Sequence, residues 1–544
     1  MNRIRSSVTP EGKFIYGIHK PQYTVTNLRD NTHIQSLGHI EGSIIVDNAR
    51  NFPEDDINVT NADWIFEIPN PFPFKGVTYI DKEWADATAC DYSRIRIKTP
   101  EPVSFSELLQ KSGSEMSLLQ QLPEPMQLAL ATCSTDPKDL IQLAEISCKI
   151  EKDDEGRVTG LGYRKNTDGS IRPVMHKHML FEAVANNPHL PQEYKVAMVL
   201  RPGAQGGSEI VGEIPSENET HVYEYLRRNS YIAGGHYAAN MAEDASRYSI
   251  QELSQQDMDG LRHLYYQRIY VRLAKEIGIN APEEQRKFTN NELEDLRNKI
   301  TVKLKETPEI PSTATLWGWN FGFDYAPSKY RLHASHQQIH QQYAMIPESV
   351  EGYTGNLEAS QFSMETYGCG DLVAEVIRHY RAVYNREFFV DYLSAIENNT
   401  RMDERTVLES SLIVWRDENV IVFVPKAQTS QWELQLMTID NKHGMPTGNI
   451  LEADSSMRNS LNRGIFAAQK ALAGIGAKMV TSIEYPKRIG KRGEPGQPLM
   501  YAFLPRLPES PGAFSEAQLR FINGTYPEDF AAVLRTQLLQ YKEV

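Results

Sequence analysis

One short run of this chain carries side chains suited to work on a phosphorus centre. In ASHQQIHQQ, residues 334–342, His340 has Gln338 two positions before it and Gln342 two positions after. On a β-strand, side chains alternate between faces, so these three fall on one face. An imidazole that is unprotonated near pH 7 offers a nitrogen nucleophile. Flanking amides hold phosphate oxygens without adding negative charge. His336 shares that face, four residues before His340, and is a candidate phosphate contact. Upstream, Asn320 and Gly322 form an Asn-x-Gly.

The run resembles the active-site segment of galactose-1-phosphate uridylyltransferase, in the histidine-triad superfamily. That family's pattern is Ser, two residues, His, one residue, His, one residue, Gln. Ser335, His340 and Gln342 are in register with it, and Gln338 stands where the family has its first His. The resemblance implies that His340 is the nucleophile that becomes nucleotidylated. It implies substrate contacts at Ser335, Gln338, Gln342, Asn320 and Gly322, with Ser335 and Gln342 on phosphate oxygens. Other segments resemble the family too: 420–436, the start of its second half; 521–535, its C-terminal ending; 64–76, its opening strand. Through element order the resemblance spans about residues 220–544.

The departures from the family are as informative. Its structural zinc needs a Cys-x-x-Cys pair and the His replaced here by Gln338, and the chain has no Cys-x-x-Cys. Met500 and Ala502 stand where its second half has His-x-His. The expectation is therefore no metal and no cofactor. A His in place of Gln342 would mark a hydrolase, because it can donate a proton to a poor leaving group. Gln342 favours transfer to a phosphate acceptor.

The implied activity is nucleotidyl transfer through a covalent nucleotidyl-histidine, between a nucleotide sugar and a sugar phosphate. One alternative is a phosphorylase of dinucleoside polyphosphates or nucleotide sugars, using inorganic phosphate. A second is a nucleotide-binding protein without turnover. The family also implies a homodimer.

Composition narrows the classes further. The 544 residues carry a formal net charge of −14, which argues against a broad nucleic-acid footprint. The four cysteines, at 90, 133, 148 and 369, are too scattered for a disulfide framework. The N-terminus lacks the apolar core of a signal peptide, and no apolar run reaches membrane-spanning length. A cytoplasmic protein with no membrane partner is expected.

The elements that must position these residues read as an α+β fold. The expected architecture is two histidine-triad-like modules, each an antiparallel half-barrel sheet with packed helices. Residues 1–60 form an extension, 61–350 the first module with a helical insertion, and 351–544 the second. Ser254 with Asp257 marks the start of a long helix, with apolar residues at helical spacing from Met258 to Ile277. Strands are expected at GVTYI, at SRIRIKTP and from Tyr194, the last turning at RPGAQGGSEI. MHKHMLF reads as a strand with His176 and His178 on one face, only two ligands where zinc needs three or four. Lys487 and Arg488, in the Gly/Pro-rich loop 485–498, are candidate phosphate contacts weighed against an ordinary solvated loop.

Overall fold

The computed structural model describes residues 6–29, 36–60, 63–70, 76–99, 101–115, 117–169, 171–198, 200–202, 208–210, 248–282, 286–306, 309–322, 340–352, 355, 362–439, 445–490, 493–507 and 513–541. Its centre is one seven-stranded antiparallel sheet. We number these strands β1 (Ser312–Gly322), β2 (His340–Pro347), β3 (Ile413–Arg416), β4 (Val420–Phe423), β5 (Leu434–Thr438), β6 (Met479–Tyr485) and β7 (Met500–Pro505). Their order across the sheet is β2-β1-β6-β7-β5-β4-β3. The β1–β6 pairing joins the two strands that precede residue 350 to the five that follow it. The fold is α+β.

Alternation along β1 sets the two faces of the sheet. Trp317, Trp319 and Phe321 are buried on one face, while Leu316, Gly318 and Asn320 on the other are only half-buried. The aromatic face packs on helices α1 (Gln255–Glu276), α2 (Asn290–Glu306), α5 (Ser455–Gly474) and α6 (Pro527–Leu538), through residues such as Tyr265, Ile300, Phe466 and Phe530. As the sequence leads one to expect, Ser254 caps α1 and Asp257 closes a capping box. This satisfies backbone N–H groups that the first helical turn leaves open.

Two further helices, α3 (Gly370–Tyr384) and α4 (Phe388–Glu397), cover part of the opposite face. Val373, Ile377, Phe388 and Tyr392 bury Phe423, Met437, Met500 and Ala502 there. Leu316, Gly318, Asn320, Thr481 and Leu504 stay half-exposed at the β1–β6 end. Among the described residues, the helices α3 and α4 thus stop short of β1 and β2.

A helical lobe follows the N-terminal strands. Helices Phe105–Ser112, Glu124–Cys133, Pro137–Ser147 and His178–Ala185 enclose a separate core around Leu140, Leu143, Phe181 and Val184. A smaller sheet pairs Gly17–His19, Ile65–Pro69 and Val77–Asp81 with Arg520–Asn523, the last in parallel.

Three local expectations change. His178 opens a helix instead of continuing a strand, because the following residues Met179–Ala185 are largely good helix formers. Gln192–Ala197 is helical after Pro191, and the expected hairpin starts only at Leu200, pairing with Ser208–Ile210. Proline's fixed φ suits a helix start. Residues 93–99 of SRIRIKTP hold no strand: Ile95 is buried and the Ile97 N–H is bonded to the Ile475 carbonyl, 2.9 Å away. The chain wraps the core there without a ladder neighbour.

Candidate active site

Backbone register brings two of the sequence candidates together. Asn320 on β1 lies directly opposite His340 on β2, and Gly318 lies opposite Gln342. Directly opposed residues of an antiparallel pair share a sheet face. Positions 340 and 342 therefore belong to the face of Asn320, the one that α3 and α4 leave uncovered. Residues 340–347 form the expected strand. Ser335, His336 and Gln338 lie outside the described residues.

Asn320 is itself oriented. Thr481 on β6 donates its hydroxyl to Asn320 Oδ1 at 2.8 Å. Asn320 and Thr481 are also register partners. Gly322 ends β1 for a steric reason: its φ is +75°, and a Cβ there would sit 2.1 Å from the Lys478 carbonyl oxygen. Glycine permits both the left-handed backbone and the close approach. Its visible part in the site is to let β6 reach Asn320.

The buried side of β2 is pinned. Tyr343, next to Gln342 and on the other face, lies under the Arg268 guanidinium of α1, 4.9 Å from ring centroid to cation. Below β1 and β6, Arg262 is caged by Tyr265, Tyr266, Trp317 and Tyr501, at 4.7 to 5.2 Å. Glu484 of β6 receives hydrogen bonds from Tyr265, at 2.7 Å, and from Tyr501. Arg262 in turn donates to Tyr501 at 2.6 Å. Burial works against the guanidinium's charge, but the surrounding tyrosines and Glu484 outweigh it and hold the proton on more firmly than usual. This buried network joins α1 to β6 and β7 beneath the site.

A basic group stands at the same end of the sheet. Lys478, just before β6, lies 3.4 Å from His189 Nε2 of the helical lobe. Burial, then Lys478 and Lys195, push the His189 imidazole down to about 4. Thr481 and Lys478 carry no motif, and only the β1–β6 pairing reveals them.

The loop cations are placed differently. Arg488 makes a bidentate pair with Asp371, both distances 2.7 Å, and donates to Thr313 Oγ1 and to the Thr366 carbonyl. Lys487 pairs with Glu452 at 2.7 Å. Thr313 and Asn320 are seven residues apart on one strand, roughly 23 Å at the usual rise. Arg488 thus ties α3 to the start of β1, far from the Asn320–His340 pair.

Among the described residues, no group of three His, Cys, Asp or Glu side chains is placed to hold a metal ion. Met500 and Ala502 lie buried in the apolar layer under α3 and α4. A methyl group and a buried thioether do not fit a zinc donor set.

An antiparallel sheet with one face sealed and the other half-open, carrying an Asn–His pair, defines a class of site rather than a protein. No family model matches the chain, and no curated protein matches it. Solved structures that it is similar to include a uridylyltransferase at 11% identity and TM-score 0.32, covering 47% of this chain and 70% of that one. Another is an ADP-glucose phosphorylase from Arabidopsis thaliana with bound ADP-glucose, at 12% identity and TM-score 0.31, covering 45% and 64%. A galT-like protein from the same plant gives 12%, 0.30, 46% and 69%. These neighbours are of the kind that residues 335–342 resemble. Superpositions this loose carry no argument for the chemistry of the chain.

Proposed function

We propose that this chain transfers a nucleoside monophosphate through a covalent bond to His340, from a nucleotide sugar to a sugar phosphate. The observation that carries the reading is the register of His340 against Asn320 on the half-open sheet face. A nucleotide lying on that face meets the oriented Asn320 amide, with Lys478 at the adjacent strand end.

In this scheme an imidazole nitrogen of His340 attacks the α-phosphorus, and the sugar phosphate leaves with the electrons of the broken P–O bond. An incoming phosphate oxygen then displaces the imidazole. One hard displacement becomes two easier ones, and ping-pong kinetics follow. Ser335, Gln338 and Gln342 are assigned to the phosphate oxygens, where donors aimed at developing charge lower the barrier. His336 is a further candidate there. Lys487 and Arg488 fit scaffold roles better, given their carboxylate partners. Gln342 favours transfer over hydrolysis, and inorganic phosphate as acceptor is the second reading. Two histidine-triad-like modules, divided near residue 350 and preceded by an extension of residues 1–60, and a homodimer in the cytoplasm, complete the proposal.

The test is direct. The protein is incubated with nucleotide sugars labelled in the α-phosphate, then denatured. Acid-labile label on the wild type and none on His340→Ala supports the reading. Label that survives the substitution overturns the assignment of the nucleophile. No label with any nucleotide sugar or dinucleotide overturns the covalent mechanism.

A further inference from the structure

Gly318 sits in the middle of β1, where the backbone gives no reason for a glycine. Its φ is outside the left-handed region, unlike that of Gly322. Among the described residues, a Cβ there would meet only the Ser482 carbonyl oxygen, at 3.8 Å, an ordinary contact. A glycine inside a strand gives up side-chain packing and costs extra chain entropy. What it leaves is a dip in the sheet, and such a glycine often marks the close approach of a ligand to the backbone.

The dip lies on the half-open face. Gly318 is opposite position 342 on β2 and Ile483 on β6. One row further along the strands, Asn320 is opposite His340 and Thr481, and Thr481 is opposite Leu504. Leu316, Gly318, Ile483 and Leu504 are all half-exposed. Ile483 also packs against the apolar layer under α3 and α4, so it forms the wall of the dip on that side. The face therefore changes character between neighbouring rows. Asn320 and Thr481 offer an amide and a hydroxyl, whereas Gly318 offers bare backbone bordered by hydrocarbon.

This arrangement suits the two ends of a nucleotide. The two rows are two residues apart, about 7 Å at the usual rise, on the scale of one ribose between a phosphate and its base. A nucleobase is flat and apolar on its faces, and it keeps its polar groups at the rim. A sugar ring would turn hydroxyls toward Leu316 and Ile483, which offer them no hydrogen bond.

We propose that the dip over Gly318 seats the base of the nucleotide, which lies flat on the strand between position 342 and Ile483. The proposal rests on the nucleotidyl-transfer reading for one point, the placing of the phosphate at the His340–Asn320 row. Gly318 is then a specificity-determining residue, because any side chain there occupies the space of the ring.

Titration calorimetry on the full chain tests it, with uridine monophosphate, adenosine monophosphate and ribose 5-phosphate as probes. Gly318→Val fills the dip, and a branched side chain suits a strand, so its thermal melt should match or exceed that of the wild type. The site is supported if a nucleotide binds the wild type at least about tenfold tighter than ribose 5-phosphate and Gly318→Val loses that margin, with ribose 5-phosphate unchanged within about twofold. The tighter nucleotide then tells a pyrimidine from a purine. Absence of nucleotide binding overturns the proposal. So do equal binding of nucleotide and ribose 5-phosphate, a margin that survives the substitution, and an equal loss for both ligands. If Gly318→Val melts early, Gly318→Ala takes its place and should cut the margin at least about threefold. Early melting of both makes Gly318 a structural glycine and overturns the site as well. The transfer reading fails separately: a chain that binds in this way but never takes covalent label keeps the base site and loses the reaction.

Discussion

Asn320 and His340 face each other across β1 and β2, and Thr481 on the third strand hydrogen-bonds Asn320 from the other side. Three residues from three strands thus meet in one row across the sheet. If that row is the reacting centre, its members should fail in a graded way. His340→Ala should abolish covalent labelling. Asn320→Ala should lower the transfer rate at least about tenfold, the scale of a lost positioning hydrogen bond. Thr481→Val should lower it less, since Asn320 remains. Initial rates with a labelled nucleotide sugar check the order.

Gly322 should be intolerant of any side chain. Alanine would have to adopt a left-handed backbone and move the Lys478 carbonyl, now 2.1 Å from its Cβ position. The two costs together come to roughly 2–5 kcal/mol. Urea denaturation of Gly322→Ala measures it, and a loss under about 1 kcal/mol would show that β6 yields easily.

Arg262 and Glu484 are buried partners, their charged atoms 3.6 Å apart and nearly inaccessible to water. Removing one leaves the other uncompensated, which costs about 3–5 kcal/mol. Arg262→Met should therefore be strongly destabilising. The double substitution Arg262→Met with Glu484→Gln should recover part of the loss. A double-mutant cycle in denaturant reads the coupling.

Arg488 should matter for stability and not for phosphate affinity. It ties Asp371, Thr313 and the Thr366 carbonyl together. Arg488→Ala should lower the melting temperature while the KM for the acceptor stays within about twofold, as uniform binding is untouched. A large rise in KM with an unchanged melt would return Arg488 to the phosphate site.

His263 gives a pH dependence of stability. Its folded pKa of about 4 lies below the 6.5 of an unperturbed imidazole. Between these values the unfolded chain holds a proton that the folded chain excludes. Its contribution is therefore present above about pH 6.5 and is lost as the pH falls toward 4, by up to roughly 3 kcal/mol. His189 is depressed in the same direction, so the comparison is with His263→Phe in an otherwise unchanged chain. That variant should lose less stability than the wild type between pH 7 and pH 5. Parallel curves would contradict it.

Local signals were legible where they concern neighbours in the chain. Ser254 and Asp257 marked the start of α1, since a capping box closes within one turn. The strand at His340 was expected too, with alternate side chains on one face. Periodicity was less informative about α1 itself. It suggested one apolar face, whereas Arg262, His263 and Arg268 are buried as well. A helix enclosed on several sides hides polar residues whose partners come from other elements.

The chain by itself therefore determined the start of α1, the strand that carries His340, the absence of a Cys-x-x-Cys pair and the acidic balance. Each depends on residue type or on spacing within a few turns. Tertiary structure alone decided that Thr481 reaches Asn320 across 161 residues and that Arg262 meets Tyr501 across 239. Strand order and register are set by long-range packing, where many pairings are open to the chain and only burial of the whole face selects among them.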